Sequence, residues 1–161
     1  MKLIDRGVIA RLHAEASVSP RLRTHYNLHA SLDEPLHRMY MAMEPGTYVR
    51  PHRHPDKWEL LQIVTGDMLV LTFDDSGTVL TRTRLEAGGD ALGLETPAGT
   101  WHAVATLAPA TVVLECKPGP YARPPEKDFA RWAPPEGHAR APEFERWYRS
   151  AKPGDRPPAY P

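Results

Sequence analysis

The sequence predicts an all-β domain, a sandwich or barrel of short strands, with a short N-terminal helix and a Pro-rich C-terminal extension. Eight short apolar runs follow one another at roughly ten-residue spacing, separated by turn residues, as in β-sandwiches and barrels. Apolar residues recur at helical spacing near the start of the chain, and eleven of the eighteen prolines lie after Lys117. These observations divide the 161 residues into a helix and arm (1–35), a β-barrel (36–118) and an extension with a short helix (119–161).

The first element is a short helix. The apolar positions that recur at helical spacing are Ile4, Val8, Ile9 and Leu12. Asp5 is an acidic residue of the first turn, and Ser19-Pro20 ends the pattern. We expect this helix to pack against the barrel or against a second subunit.

The strands follow in the middle of the chain, where apolar residues alternate with polar ones between turns. The predicted strands are residues 39–43, 47–52, 58–65, 67–73, 79–85, 91–95, 102–106 and 111–117. Asp74 to Gly77 has the acidic residue and the glycine that hairpin turns favour. This turn therefore joins two consecutive strands.

The C-terminal extension cannot supply central strands, because proline has no backbone N–H to donate to a sheet. It must wrap the surface or remain mobile. A helix is predicted over residues 142–149, with Pro142 in the first turn and Phe144, Trp147 and Tyr148 forming a docking stripe. We expect residues 152–161 to fray unless they rest on a partner.

Three candidate metal ligands lie within one short stretch. His52 and His54 are two residues apart, which places both imidazoles on one face of a strand, and Glu59 can return on the next strand. His102 follows a turn that begins at Pro97, and the fold could bring it beside the other three. Such side chains are unfavourable on an inward face unless a cation compensates their desolvation.

These residues predict one divalent transition-metal ion bound by His52, His54, Glu59 and His102. The donor set does not choose among Fe, Mn, Ni, Zn and Cu. Three nitrogen donors are too soft for magnesium or calcium. One or two coordination positions would stay open, which is the arrangement that metal catalysis needs.

Two motifs carry a family resemblance. The spacing G-x5-H-x-H-x4-E-x6-G, from Gly46 to Gly66, resembles the first cupin motif, and Pro97-x-Gly99-x2-His102 resembles the second. Ala91 stands where the second motif has glycine, and Thr106 stands where it has asparagine. With these motifs the predicted fold becomes a double-stranded β-helix, the jelly-roll barrel of the cupins.

A narrower resemblance covers most of the chain. The segments that carry it are residues 19–29, 44–54, 57–59, 99–102 and 117–121. They are similar to the WbuC family of cupin-fold metalloproteins. The resemblance implies metal binding and a link to bacterial surface-polysaccharide genes, but it implies no particular reaction. It also suggests that Lys117 and Tyr121 border the exit of the last strand, and that the Tyr26-Asn27-His29 segment folds over the barrel mouth.

Strand alternation suggests the substrate-binding residues. Tyr48 and Arg50 share the phase of His52 and His54, so they are expected to face the barrel interior unless Pro51 introduces a bulge. Arg50 could bind a carboxylate or phosphate there, or it could pair with an acidic neighbour at the rim. Trp58 and Trp101 flank ligands and are expected to wall the pocket. No residue outside the ligands is identified as catalytic.

Composition excludes some partners. Twenty basic and twenty acidic residues give no charge excess for nucleic acid or an anionic membrane. The start of the chain has no apolar targeting segment, and no apolar run is long enough to span a membrane, so we expect a cytoplasmic protein. Cys116 is the single cysteine and is expected to be a buried small hydrophobe. Exposed sheet edges favour a homodimer.

Two function classes remain open, both with a small-molecule partner. One is a metalloenzyme that acts on an anionic or sugar-derived substrate by isomerisation, hydrolysis or dioxygen chemistry. The other is a non-catalytic, metal-dependent sensor of a sugar or small molecule, and the fold by itself accommodates both. A metal-free sugar-nucleotide epimerase is a weaker third option, because such an enzyme does not need the complete ligand set.

Overall fold

Two antiparallel sheets face each other, and one helix lies on the outside of each. The computed structural model describes all residues from Met1 to Pro161. Its elements are α1 (Arg6–Val18), β1 (Arg23–Asn27), β2 (Leu36–Met43), β3 (Glu59–Thr65), β4 (Asp67–Phe73), β5 (Val79–Glu86), β6 (Gly93–Thr96), β7 (Trp101–Thr106), β8 (Thr111–Pro118), a 3-10 helix (Glu126–Asp128) and α2 (Ala141–Ser150).

The strand order is β1-β2-β8-β3-β6 in the first sheet and β5-β4-β7 in the second. Every pairing is antiparallel, and strands distant in sequence, such as β2 and β8, are neighbours. This is the predicted jelly roll, although the two sheets do not close into a continuous barrel. Neither helix has the length and apolar character needed to cross a bilayer.

Strand β4 explains how the layers are held together, because it is apolar on both faces. Met68 and Val70 belong to the core between the two sheets. Leu69 and Leu71 belong to a second core on the outer side of the three-stranded sheet. Alternation sends these pairs to opposite faces, so the outer face needs its own cover.

The C-terminal extension supplies that cover. Phe144 and Tyr148 of α2 are fully buried in the outer core, which confirms the predicted docking stripe. The last residues do not fray as predicted. Asp155 accepts a backbone hydrogen bond from Val79 at 2.9 Å, and the ring of Tyr160 lies 6.2 Å from that of Phe144. The tail therefore rests on this chain itself.

Helix α1 covers the outer face of the five-stranded sheet. Asp5 is the N-cap, and its carboxylate accepts a hydrogen bond from the backbone N–H of Val8 at 3.0 Å. Leu12 and Ala16 pack in a small third core that includes Ala42 of β2. The sequence left two roles open for this helix, packing against the barrel or against a second subunit, and the structure has the first.

Two strand predictions differ from the structure. Residues 47–52 form no strand and make only isolated bridges at His52, because Pro51 lacks a backbone donor and the segment packs against the extension. Strand β1, which pairs with β2, falls in the predicted N-terminal arm. Its sequence Arg-Thr-His-Tyr-Asn has no apolar alternation to reveal it. The three-part domain division stays a prediction.

Gly66, the last residue of the first cupin-like motif, joins β3 to β4 and crosses between the sheets. Its φ is +80°, and an added Cβ would lie 2.6 Å from the Cα of Thr111. We expect Gly66→Ala to lower the free energy of unfolding by more than the ~1–3 kcal/mol of backbone strain alone. Urea denaturation measures the loss.

Gly88→Ala is the matched control for this substitution. Gly88 has a similar φ of +82° but no atom within 4 Å of an added Cβ, so its variant reports strain without the contact. Equal losses in the two variants would show that the contact with Thr111 contributes nothing.

Candidate metal centre

The four predicted ligands come from three parts of the fold. Glu59 is the first residue of β3, and His102 is the second residue of β7. His52 and His54 lie in the loop between β2 and β3. Backbone hydrogen bonds of 3.1 Å and 2.9 Å join His52 to His102, and the N–H of Gly99 donates to the carbonyl of His54 at 2.7 Å. The loop is thereby fixed against the turn that precedes β7.

The structure brings these four side chains together. One potential ligand atom from each of His52, His54, Glu59 and His102 lies within 4.8 Å of all the others. The ring centroids of His52 and His102 are 4.5 Å apart, and those of His52 and His54 are 5.1 Å apart. The cluster could hold one metal ion.

Hydrogen bonds to backbone carbonyls orient two of the imidazoles. Nδ1 of His52 lies 3.0 Å from the carbonyl of Arg50, and Nδ1 of His102 lies 2.9 Å from that of Thr100. If each Nδ1 carries the proton and donates, each Nε2 keeps its lone pair for a metal. Nε2 of His102 is buried without a hydrogen-bond partner. A cation is the group that would satisfy this atom, so the residues fit a metal site.

Electrostatics within the cluster keep the carboxylate charged. Burial favours a raised pKa for Glu59, but polar contacts with His102 and His54 and the charge of Lys117 outweigh it and hold the pKa well below its usual value. Burial, reinforced by the neighbouring His102, lowers the pKa of His52 to about 3. Burial also acts to lower the pKa of His102, but Glu59 raises it overall. Neutral His52 and anionic Glu59 are the forms that bind metals.

A cavity of about 200 Å³ opens beside the cluster, and three of the four residues line it. Its lining comprises Arg23, His25, Met39, Met41, Met43, Val49, His52, Glu59, Leu61, His102, Ala103, Val104, Glu115 and Lys117. A second, more basic cleft of about 400 Å³ is lined by His54, and Lys117 borders both spaces. The cluster therefore faces a partly apolar cavity and, on another side, a basic surface cleft.

Glu115 is a site residue that sequence reasoning missed. Its side chain is only 5% exposed, and Lys117 Nζ lies 2.5 Å from its carboxylate and 3.3 Å from that of Glu59. Burial raises the pKa of Glu115, and the nearby charge of Glu59 adds to this effect. The available signal was alternation along β8, which gives Val113, Glu115 and Lys117 one phase. Burying an ion pair costs desolvation energy and often adds little to stability. The pair formed by Glu115 and Lys117 is therefore a candidate for a functional role.

Tyr48 and Arg50 do not line the cavity. Arg50 Nη1 lies 2.6 Å from Glu126, and its Nε and Nη2 donate to the carbonyl of Ala130 at 3.2 Å and 2.8 Å. Tyr48 donates to the carbonyl of Pro134 at 2.8 Å. The sequence left two roles open for Arg50, binding an anionic ligand or pairing with an acidic neighbour. The structure has the second, an ion pair with Glu126.

The strand phase explains this difference. Val49 and His52 line the cavity although they are three residues apart, so the strict alternation assumed for residues 47–52 is broken. Pro51 lies in this interval and cannot donate a ladder hydrogen bond. Tyr48 and Arg50 therefore face the C-terminal extension instead of the cavity.

The two tryptophans do not line either space. Trp101 donates from Nε1 to the carboxylate of Asp75 at 2.9 Å, and the guanidinium of Arg53 lies 4.5 Å from the centroid of its ring. Trp58 is half-buried and lies outside both linings. Half of the residues that line the cavity are methionine or aliphatic, and the other half are polar or charged.

Comparisons with known proteins agree with the fold. Residues 4–85 match the family described as domain of unknown function DUF6016. No curated protein matches the sequence. TT1209 from Thermus thermophilus is 18% identical with a TM-score of 0.53, covering 73% of this chain and 97% of its own. BH2720 from Bacillus halodurans is 18% identical with a TM-score of 0.52, covering 77% and 85%.

A third similar structure is the cupin domain of Cnp3 from Schizosaccharomyces pombe. It is 11% identical with a TM-score of 0.48, and the match covers 60% of this chain and 64% of that one. At such identities the similarities concern the fold alone. The strand order and the antiparallel pairing are those of a jelly roll.

Proposed function

The chain belongs to the DUF6016 family of domains of unknown function, and from the geometry of its cluster we propose that it is a metal-dependent cupin acting on a small molecule. His52, His54, Glu59 and His102 bind one divalent transition-metal ion. Its substrate is a small anionic or sugar-derived molecule that enters the cavity beside the cluster.

One observation carries the proposal. Four donor atoms from three separate parts of the chain converge within 4.8 Å, and one of them, Nε2 of His102, is buried without a hydrogen-bond partner. Buried polar atoms in native proteins almost always have partners. Nε2 of His102 also lies 3.5 Å from Oε1 of Glu59, so a cation between the four donors would satisfy both groups.

The chain's own residues supply the rest of the chemistry. A bound divalent metal would act as a Lewis acid at its open coordination positions. The carbonyls of Arg50 and Thr100 hold the imidazoles of His52 and His102 in one orientation. The apolar half of the cavity lining gives the body of a bound molecule a surface to pack against.

Glu115 supports catalysis over sensing. Its carboxylate lines the same cavity as His52, Glu59 and His102, so it supplies a possible proton acceptor that is not itself a ligand. Lys117 holds this carboxylate in place at 2.5 Å. We therefore favour an enzyme.

Several finer statements stay predictions from the sequence. They are membership of the WbuC family, a link to bacterial surface-polysaccharide metabolism, a homodimer, and a cytoplasmic location. The identity of the metal among Fe, Mn, Ni, Zn and Cu is also open, since these donors bind all of them.

Metal titration at several pH values tests the proposal. Chelator-treated protein is expected to bind about one Zn²⁺ or Mn²⁺ per chain near pH 7.5, by calorimetry. The affinity should fall as the pH drops through about 6.5 and below. Against the effect of burial, Glu59 raises the pKa of His102 above its usual value of 6.5, so protonation of this residue begins to compete with the metal above pH 6.5. Absence of metal binding at pH 7.5 would refute the proposal.

A further inference from the structure

We infer that the cavity receives a compact apolar group, so that the substrate is a short-chain organic acid with an apolar body rather than a sugar. The inference rests on the proposed function only for the carboxylate of the substrate, which we place toward the metal cluster. The evidence for the apolar part of the substrate is the lining of the cavity alone.

The main wall of the cavity is a row of methionines. Met39, Met41 and Met43 alternate along β2 and all line the cavity. Val49, Leu61 and Val104 add aliphatic surface from the loop, β3 and β7. A sugar-binding site instead needs hydrogen-bonding side chains along its walls, because each buried hydroxyl requires a partner.

The polar side chains that line the cavity already have partners. Glu115 and Lys117 bond to each other, and Lys117 also contacts Glu59. Arg23 donates to Thr47 at 3.2 Å and pairs with Glu136. By contrast, Nε2 of His102 and the side chain of the exposed His25 have no hydrogen bond, but two imidazoles cannot satisfy the several hydroxyls of a sugar ring.

The size of the cavity limits the apolar group. About 200 Å³ is below the usual range of ~300–1,000 Å³ for ligand pockets. Methionine side chains are flexible and adapt to irregular shapes. The cavity is therefore suited to a short carbon chain or a small branched group.

Charge near the cluster explains why the other end is acidic. Lys117 contacts the carboxylates of both Glu59 and Glu115 and offsets one of their two charges, so the positive charge at this wall comes from the metal. A divalent ion held by three neutral imidazoles and one carboxylate keeps a net positive charge. A carboxylate substrate would be attracted to this wall while its chain fills the methionine-lined space.

A chain-length series tests the inference. Full-length protein reconstituted with Zn²⁺ is titrated by calorimetry with straight-chain carboxylates from acetate to octanoate. Affinity is expected to rise about threefold to fourfold per methylene, and to level off once the cavity is full. The metal content of each sample is measured separately.

Two variants locate the effect. Met41→Gln keeps the length of the side chain but adds a polar amide, and it should weaken hexanoate binding about tenfold while changing acetate binding little. Leu80→Gln makes the same kind of change at a residue of β5 that is 54% exposed, and it should leave both affinities unchanged. Both variants should retain full metal content.

Straight-chain alcohols, titrated into the metal-free protein, test the cavity by itself and should show the same rise with chain length. A flat series for alcohols and carboxylates would overturn the inference, as would tighter binding of gluconate than of hexanoate. Either result would leave the proposed function intact if the protein binds metal. A rise with alcohols in a protein that binds no metal would instead refute the proposed function and preserve the apolar site.

Discussion

The His52→Ala/His102→Ala double variant is expected to lose most of its metal, falling from about one ion per chain to less than about a tenth. The variant removes two of the three imidazoles whose donor atoms converge within 4.8 Å. One histidine and one carboxylate cannot hold a transition metal through purification. Elemental analysis of protein purified without a metal column measures the content.

His25→Ala is the control for this variant. It removes the same side-chain type from a residue that lines the same cavity but lies outside the cluster, and it should keep its metal. Equal metal content in the wild type and the double variant would show that these histidines are not ligands.

Phe144→Ala is expected to lower the free energy of unfolding by about 3–5 kcal/mol, the range for removing a buried phenylalanine. Phe144 is fully buried between α2 and the outer face of the three-stranded sheet. The cavity left behind would weaken the docking of the whole C-terminal extension. Chemical denaturation, followed by tryptophan fluorescence, gives the value.

Leu80→Ala serves as the control, because Leu80 is 54% exposed and its truncation should change stability by no more than about 0.5 kcal/mol. A loss below about 1 kcal/mol for Phe144→Ala would mean that the extension contributes little to the stability of the jelly roll.

The sequence predicted the fold where the pattern is periodic. Strands β4 and β8 are apolar runs bounded by turns, and the Asp74 hairpin has its expected residues. Ligand spacing also predicted the convergence of His52, Glu59 and His102, because motif spacing reflects where strands begin. These features depend on residues that are close together in the sequence, so the sequence pattern is enough to predict them.

Features that depend on contacts distant in sequence could not be predicted in the same way. The side chain of Arg50 faces Glu126 because Pro51 disrupts the strand alternation of residues 47–52. Which side of this segment is covered depends on where the C-terminal extension packs. The sequence Arg23–Asn27 becomes a strand through its pairing with β2. Glu115 looked like an isolated acid in an apolar run, since its cavity is formed by β2, β3 and β7.

The loop that carries two candidate ligands has a neighbour on each side. His52 bridges His102 on one side and Phe129 on the other, and the N–H of Ala130 donates to the carbonyl of Pro51 at 2.8 Å. If metal binding orders this loop, it also favours attachment of residues 126–130, and attachment then favours metal binding by the same free energy. Metal binding would tighten the C-terminal segment against proteolysis, and a partner that pulled that segment away would release the metal.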